Sequence, residues 1–412
     1  MKVRYSYKNE LFDDIRDIVF NNKLEINFPY IFEEYIPFQI FVSGRTIFKG
    51  VGIVYDDMYL DKSINTDEII DEKYLNNVFN DYLIKNDFDF NDNSAISLSG
   101  GVDSSVVALV LQPELSYTGF YSDEGYDETV RATEIYKIIK SNHFEYCLIE
   151  KDFIDNVFEC VNIFCTPIAG MGSVMEFALL KNFLRDNPGV NQILFGNGGD
   201  EIFMGYFFNH FIMQDIAKII STPTSYMPNF YESKIRLINN IIDMTVIYSL
   251  NRASEDYIRL YSHNTINMFK MLFKDKSYIL DKLLSININI ILPSLLHLNS
   301  QMCRYFNVNE YNPIANSYLI NKAKSLNSPF TDIPKKVLRD SVSNMPISIK
   351  NDLNKNGFPI PFHKWFEVDR LFKEYYEAFL KRKYIDIEPY CGINRFSWGI
   401  FQTELFLRRF HE

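Results

Sequence analysis

The stretch from Ala95 to Val110, AISLSGGVDSSVVALV, restricts the fold of this chain more than any other. Ala95, Ile96 and Leu98 form a short apolar run that reads as a buried strand. Ser99, Gly100 and Gly101 break it, and from Ser104 the apolar spacing suits a helix. Strand, glycine turn and helix start together make an anion site. The first N–H groups of a helix have no intrahelical partner and lie at the positive end of its dipole. Two glycines let the backbone approach a phosphate, and Ser99, Ser104 and Ser105 add hydroxyl donors. A Gly-Gly pair alone would be a tight strand-to-helix turn. Serines on both sides and Asp103 between them point to a ligand instead. No lysine follows, which excludes a Walker A loop. Asp103 would repel phosphate unless a cation lay between them, so the loop implies Mg²⁺.

Around this stretch, short apolar runs alternate with helical spacing between residues 94 and 206. Strands are expected at Ala95–Ser99, Leu115–Tyr121, Phe144–Ile149 and Asn191–Phe195, and helices at Ser104–Leu111, Thr129–Ser141 and Val174–Leu184. This order predicts an α/β fold, a doubly wound parallel sheet with ligands at the carboxyl ends of its strands. A second glycine-rich loop, Phe195-Gly196-Asn197-Gly198-Gly199-Asp200-Glu201, again follows an apolar run. By itself it could be a surface loop with solvated acids. Two such loops at strand ends of one sheet, each with an aspartate, predict a shared nucleotide and metal site with Asp103 and Asp200 as the metal carboxylates.

The flanking regions are less specific. Residues 1–93 are acidic and aromatic, with β-like runs at Phe38–Val42 and Thr46–Val54 about a Ser43-Gly44-Arg45 turn. Helical spacing follows over Asp67–Lys85, and Asn86–Asn93 (NDFDFNDN) reads as a linker. Residues 207–330 are read as a helical part. The net charge of −11 and the lack of a basic block argue against nucleic-acid binding. The apolar stretch Ile286–Leu296 is interrupted by Asn287, Asn289 and Pro293 and reads as too short to span a bilayer, so no membrane partner is expected. The N-terminus has no signal-peptide core, and the five cysteines include no CxxC pair. A cytoplasmic, reduced protein is the simplest expectation. Cys160 and Cys165 are read as small buried hydrophobes rather than metal ligands.

SGGVDSS resembles the pyrophosphate loop of ATP pyrophosphatases, and FGNGGDEIFMGY narrows the likeness to the synthetase domain of asparagine synthetases. Tyr126-Asp127-Glu128 with Ala132, the run Lys336–Trp365, and the C-terminal FSWGIFQTELFLRRF resemble further parts of that family in the same order. The family also includes β-lactam synthetases and lasso peptide cyclases. The resemblance covers residues 94–412. It implies an adenine nucleotide alpha-hydrolase-like core over 94–206, a helical subdomain over 207–330, and a lysine loop and C-terminal helix over 331–412, preceded by a small β-containing region, residues 1–93.

It further implies ATP and Mg²⁺ and an amide-forming ligase that adenylates a carboxylate. Adenine is expected near Leu98, Thr118 and Gly196, with Asn197 beside it. Ser99, Gly100, Gly101, Ser104 and Ser105 are expected to hold pyrophosphate, and Asp103 and Asp200 the metal. Lys355, in the loop Lys355-Asn356-Gly357-Phe358, is expected to supply positive charge to the reaction. Glu201 and Glu128 are read as helix-end carboxylates, Tyr206 as packing, and His297 and His363 as structural.

The departures concern the substrates. Lys2 stands where family members expose a glutaminase cysteine, so glutamine is not expected to be the direct nitrogen donor. Asn197 replaces an acid of asparagine synthetases or a tyrosine of β-lactam synthetases. The helix before Tyr311-Asn312-Pro313 offers Leu295–Asn299 and no acid. Expected partners are therefore small-molecule or peptide carboxylates and amines, with a separate glutaminase or biosynthetic partner protein as a further candidate. An ammonia-dependent asparagine synthetase and a catalytically silent binding subunit remain alternatives.

Overall fold

The computed structural model describes residues 3–55, 69–90, 93–123, 126–127, 129–168, 170–206, 250, 252–274, 279–325, 333–353 and 360–411. The chain begins with a hairpin of β1 (Val3–Tyr7) and β2 (Glu10–Phe12). Its two turn residues, Lys8 and Asn9, both have positive φ, as a tight turn matched to strand twist requires. β3 (Gly52–Tyr55) pairs on the other side of β1, giving a small antiparallel sheet in the order β2-β1-β3. The expected strand over Phe38–Val42 does not form. Phe38 ends a short helix, Gln39 turns left-handed, and the Phe41 amide donates to Ser294 Oγ at 3.2 Å instead of to a strand. The turn at Gly44 is present, with the Ile53 amide donating to the Gly44 carbonyl.

After α1 (Glu72–Lys85), capped by Asp71, the chain enters the core of alternating elements. These are β4 (Ser94–Ser97), α2 (Val102–Leu111), β5 (Leu115–Phe120), α3 (Thr129–Ile139), β6 (Asn142–Cys147), α4 (Glu150–Phe164), α5 (Ser173–Asp186), β7 (Gln192–Leu194) and α6 (Gly199–Ile202). Helix α4 had no separate sequence expectation. Its Phe153, Val157, Cys160, Val161 and Phe164 recur at helical spacing and are buried. Burial pushes the Cys165 thiol, at its end, up to about 12. Both Cys160 and Cys165 are free thiols in the core.

The five strands lie parallel in the order β6-β5-β4-β7-β8, where β8 is Asn309–Tyr311. This is the expected doubly wound sheet. From β4 the chain builds outward through β5 to β6, then returns to build the other way through β7 and β8. The carboxyl ends of β4 and β7 therefore diverge, and a crevice opens between them. Strand β8 falls in the range expected to be helical. Its three residues carry no run long enough to signal a strand, and pairing with β7 imposes the extended form.

The segment read as a linker is pinned to this sheet. Asp89 exchanges hydrogen bonds with the Gln192 side chain, at 2.8 and 2.9 Å, and Phe88 packs edge-on against Tyr311. Buried apolar residues form one continuous cluster from Val3 to Leu407, so the core crosses residue 93 without a break.

Helices over Glu255–Tyr261 and His263–Phe273 precede α7, which runs through Ile279–Ile286, a π turn at Asn287–Ile291, and Leu292–Tyr305. The polar interruptions do not shorten it, because the π turn accommodates Pro293 at the start of the last segment. Leu280–Tyr305 is thus long and apolar enough to cross a bilayer, but 83% of its most apolar window is buried inside the protein. It is a core helix. α8 (Lys336–Ser341), α9 (Phe366–Arg382) and α10 (Arg395–Phe410) complete the chain. Phe372 and Phe401 stack between α9 and α10 at 4.3 Å, and Trp398 donates its indole N–H to the Ile168 carbonyl.

Candidate active site

The crevice between β4 and β7 is a cleft of about 320 Å³, lined by both glycine-rich loops, by α5 and α7, and by the segment around α8. At the end of β4 the Leu98 amide donates to the Tyr117 carbonyl, extending the ladder one residue before the chain turns away. Ser99 Oγ and Ser104 Oγ lie 3.1 Å apart. The Gly101 amide donates to Ser99 Oγ, and Ser104 Oγ donates to the Gly101 carbonyl. The two hydroxyls thus brace the loop. No side chain caps α2, which leaves its first amides for an anion.

The second loop touches the first backbone to backbone. A Cβ on Gly196 would lie 2.5 Å from the Ser104 nitrogen, and one on Gly199 would lie 2.1 Å from Asp103 Oδ1. The approach at Gly196 is to backbone and only glycine permits it, whereas a Cβ at Gly199 would force the Asp103 carboxylate to move. The contact carries Asp200, at the start of α6, up to Asp103, at the start of α2. Lys335 meets both, its Nζ 2.9 Å from Asp103 Oδ2 and 2.9 Å from Asp200 Oδ1.

Side-chain exposure is 16% for Asp103 and 7% for each of Asp200 and Lys335, so these charges are held largely out of water. One ammonium against two carboxylates leaves this trio itself net negative, at the mouth of an anion-binding loop. Asp103 Oδ1 is buried without a hydrogen-bond partner among the described residues. An orphan carboxylate oxygen beside a second carboxylate and a phosphate cradle fits Mg²⁺, which takes one or two protein carboxylates and fills its other positions with phosphate oxygens and water. No cluster of three or more metal-ligating side chains occurs among the described residues, so protein alone does not complete a coordination shell.

Other expected residues divide. Leu98, Gly100, Gly101, Thr118, Gly196 and Asn197 line the cleft with Ser99 and Ser104. Thr118 donates its hydroxyl to the Leu98 carbonyl, tying β5 to the loop exit. Asn197 Nδ2 donates to Asn312 Oδ1 at 3.2 Å. Ser105 departs from expectation. It is fully buried and does not line the cleft, because one residue beyond Ser104 the helix turns its side chain into the core.

Lys355 and Glu128 lie outside the described residues. The acidic start of α3 is nevertheless capped, by Asp127 Oδ1 accepting from the Thr129 amide at 2.9 Å. Glu201 is buried, its carboxyl pushed up by desolvation, and it accepts from the Tyr206 hydroxyl. His297 is fully buried 2.7 Å from the Tyr5 hydroxyl, and burial pushes its imidazole down to about 3. Both serve the core. His363 is exposed and tilted against Tyr126.

Sequence reading missed Lys335, Arg131, Arg339 and Glu176, all of which line the cleft. Lys335 gave no signal to separate it from its exposed neighbour Lys336; a left-handed backbone at the start of α8 turns it inward. Arg339 locks the segment, donating to the carbonyls of Pro334, at 2.8 Å, and Ile349, at 2.7 Å. Arg131 pairs with Asp352 across the cleft edge.

Among known proteins, the family model described as asparagine synthase matches residues 91–395. No curated protein matches the chain.

Proposed function

The chain belongs to the asparagine synthase family, a family of ATP-using ligases, and we propose from that premise that it forms an amide bond by adenylating a substrate carboxylate. The observation that carries this reading is the convergence of Asp103, Asp200 and Lys335 at the mouth of the Ser99–Ser104 loop. In this reading the base lies by Leu98, Thr118 and Gly196, and the loop amides and hydroxyls hold the β- and γ-phosphates. Asp103 and Asp200 hold Mg²⁺, which when bound neutralises the leaving pyrophosphate.

A carboxylate oxygen of the substrate attacks the α-phosphorus and pyrophosphate departs. An amine then attacks the acyl carbon, loses a proton, and AMP leaves. Lys335, between the two carboxylates, keeps positive charge beside the departing pyrophosphate. Lys355 is assigned by resemblance to supply positive charge to the pyrophosphate and to the charge that later develops on the acyl oxygen. The reaction is assigned to specialised metabolite or modified-peptide synthesis in the cytoplasm; what supports a departure from asparagine synthesis is Asn197, a neutral amide lining the cleft where the resemblance implies an acid. Nucleic acid and membrane are not partners in this reading, while a separate glutaminase or biosynthetic protein is.

Incubation with ATP, Mg²⁺ and panels of carboxylates and amines tests it, with nucleotide products resolved by chromatography. AMP and pyrophosphate in equal amounts are expected, and they should disappear in Lys355→Ala. ADP and phosphate would contradict the reading. AMP release that depends on aspartate and ammonia would make the chain an asparagine-forming enzyme instead.

A further inference from the structure

Glu176 is a carboxyl in the cleft that the phosphate chemistry leaves unused. It stands in the first turn of α5, and Leu179 and Leu180 follow it at three and four residues. One face of the helix therefore turns all three into the cleft. Because α5 leads into the start of parallel strand β7, its N-terminal end lies at the carboxyl ends of the strands. The helix packs directly on β5: a Cβ on Gly119 would lie 3.0 Å from the Leu179 side chain. Glu176 lines the cleft together with Tyr117, Thr118 and Gly119, which places it over the end of β5.

The two aspartates, by contrast, follow the loops after β4 and β7, and Lys335 comes from the start of α8. Among the described residues no hydrogen bond or ion pair satisfies Glu176, and burial alone pushes its carboxyl upward. A carboxyl in a slot walled by Tyr117, Leu179, Leu180 and Met302 is costly unless a donor enters with the ligand.

We propose that Glu176 reads the nucleotide base, accepting a hydrogen bond from the exocyclic amino group of adenine. The inference rests on the reading of the cleft as an ATP site. It goes beyond that reading by making a side chain responsible for the choice of base. The ligand chemistry is an amino group, and two sources carry one: the purine and the amine substrate. Position over β5, beside Leu98 and Thr118, favours the purine.

Direct titration calorimetry, with amine-dependent turnover as a second readout, separates the possibilities. Wild type, Glu176→Leu and Glu176→Gln are each titrated with MgATP and with the Mg²⁺ complex of purine riboside 5′-triphosphate, which lacks the amino group. Wild type is expected to prefer ATP by about 10-fold or more, the worth of one hydrogen bond to a buried carboxyl. Glu176→Leu brings that ratio near 1. Glu176→Gln, whose amide oxygen still accepts, keeps most of it and controls for folding. A ratio unchanged in Glu176→Leu overturns the proposal while the ATP site stands. If the amine substrate's KM rises at the same time, Glu176 belongs to that amine. Failure of wild type to bind either nucleotide overturns the ATP reading and this proposal together.

Discussion

Asp200 and Asn197 lie in the same loop, three residues apart, yet they belong to differently built regions of the cleft. Around Asp200 the groups are charged and fixed from several directions. Gly199 presses on Asp103, Gly196 presses on the start of α2, and Lys335 spans both carboxylates. Around Asn197 the groups are neutral amides, joined by one 3.2 Å hydrogen bond to Asn312, whose backbone N–H donates to the Tyr82 hydroxyl. The first region tolerates little change because its charges meet through a backbone approach at Gly196 that only glycine allows, a close contact of Gly199 with the Asp103 carboxylate, and a left-handed residue at Lys335. The second can exchange one amide for another at small cost, which suits a surface that varies with the substrate.

This contrast predicts a graded series of effects. Asp103→Asn removes the carboxylate with the orphan oxygen, and AMP release should fall roughly 1,000-fold. A loss of less than 10-fold would break the assignment of the metal to this region. Gly199→Ala introduces a Cβ where Asp103 Oδ1 now lies, and the displaced carboxylate should cost about 100-fold in the same assay with the fold retained by circular dichroism.

Lys335→Met leaves two carboxylates facing each other with no intervening charge. Unfolding in denaturant without divalent cation should show a loss of about 2 kcal/mol, below the full penalty for a broken buried pair because the site opens to a cleft. Saturating Mg²⁺ should restore part of that loss, more than it adds to wild type. The smallest effect belongs to the amide region. Asn197→Ala should change MgATP affinity less than about 3-fold while altering the KM of the carboxylate or amine substrate. A large loss of nucleotide affinity would erase the distinction between the regions.

The same contrast explains what the sequence reveals. Ser99, Asp103 and Asp200 are legible because a strand, a glycine turn and a helix start are local patterns, and two of them at neighbouring strand ends imply one crevice. Lys335 is not legible. Its role comes from a left-handed residue that turns it toward loops more than 130 residues earlier in the chain, whereas Lys336 beside it points to solvent. Ser105 is misread for a related reason: adjacent serines on a helix diverge by about 100°, and only Ser104 faces the loop.

In the fold, the alternating strands are legible in their apolar runs, but β8 owes its form to pairing with β7. Helix α7 hides behind Pro293, which a π turn accommodates, and the apparent linker is held at Asp89 by Gln192, on the strand beside β4. Tertiary partners, absent from any local pattern, decide β8 and the apparent linker.

The central claim is that Asp103 and Asp200 form one nucleotide and metal site with the Ser99–Ser104 loop. Calorimetric titration of MgATP into wild type and into Asp103→Asn tests it most directly. Saturable binding at one site per chain, lost or weakened at least 100-fold in the variant, is the result the account predicts. Binding of equal strength in both proteins would contradict it.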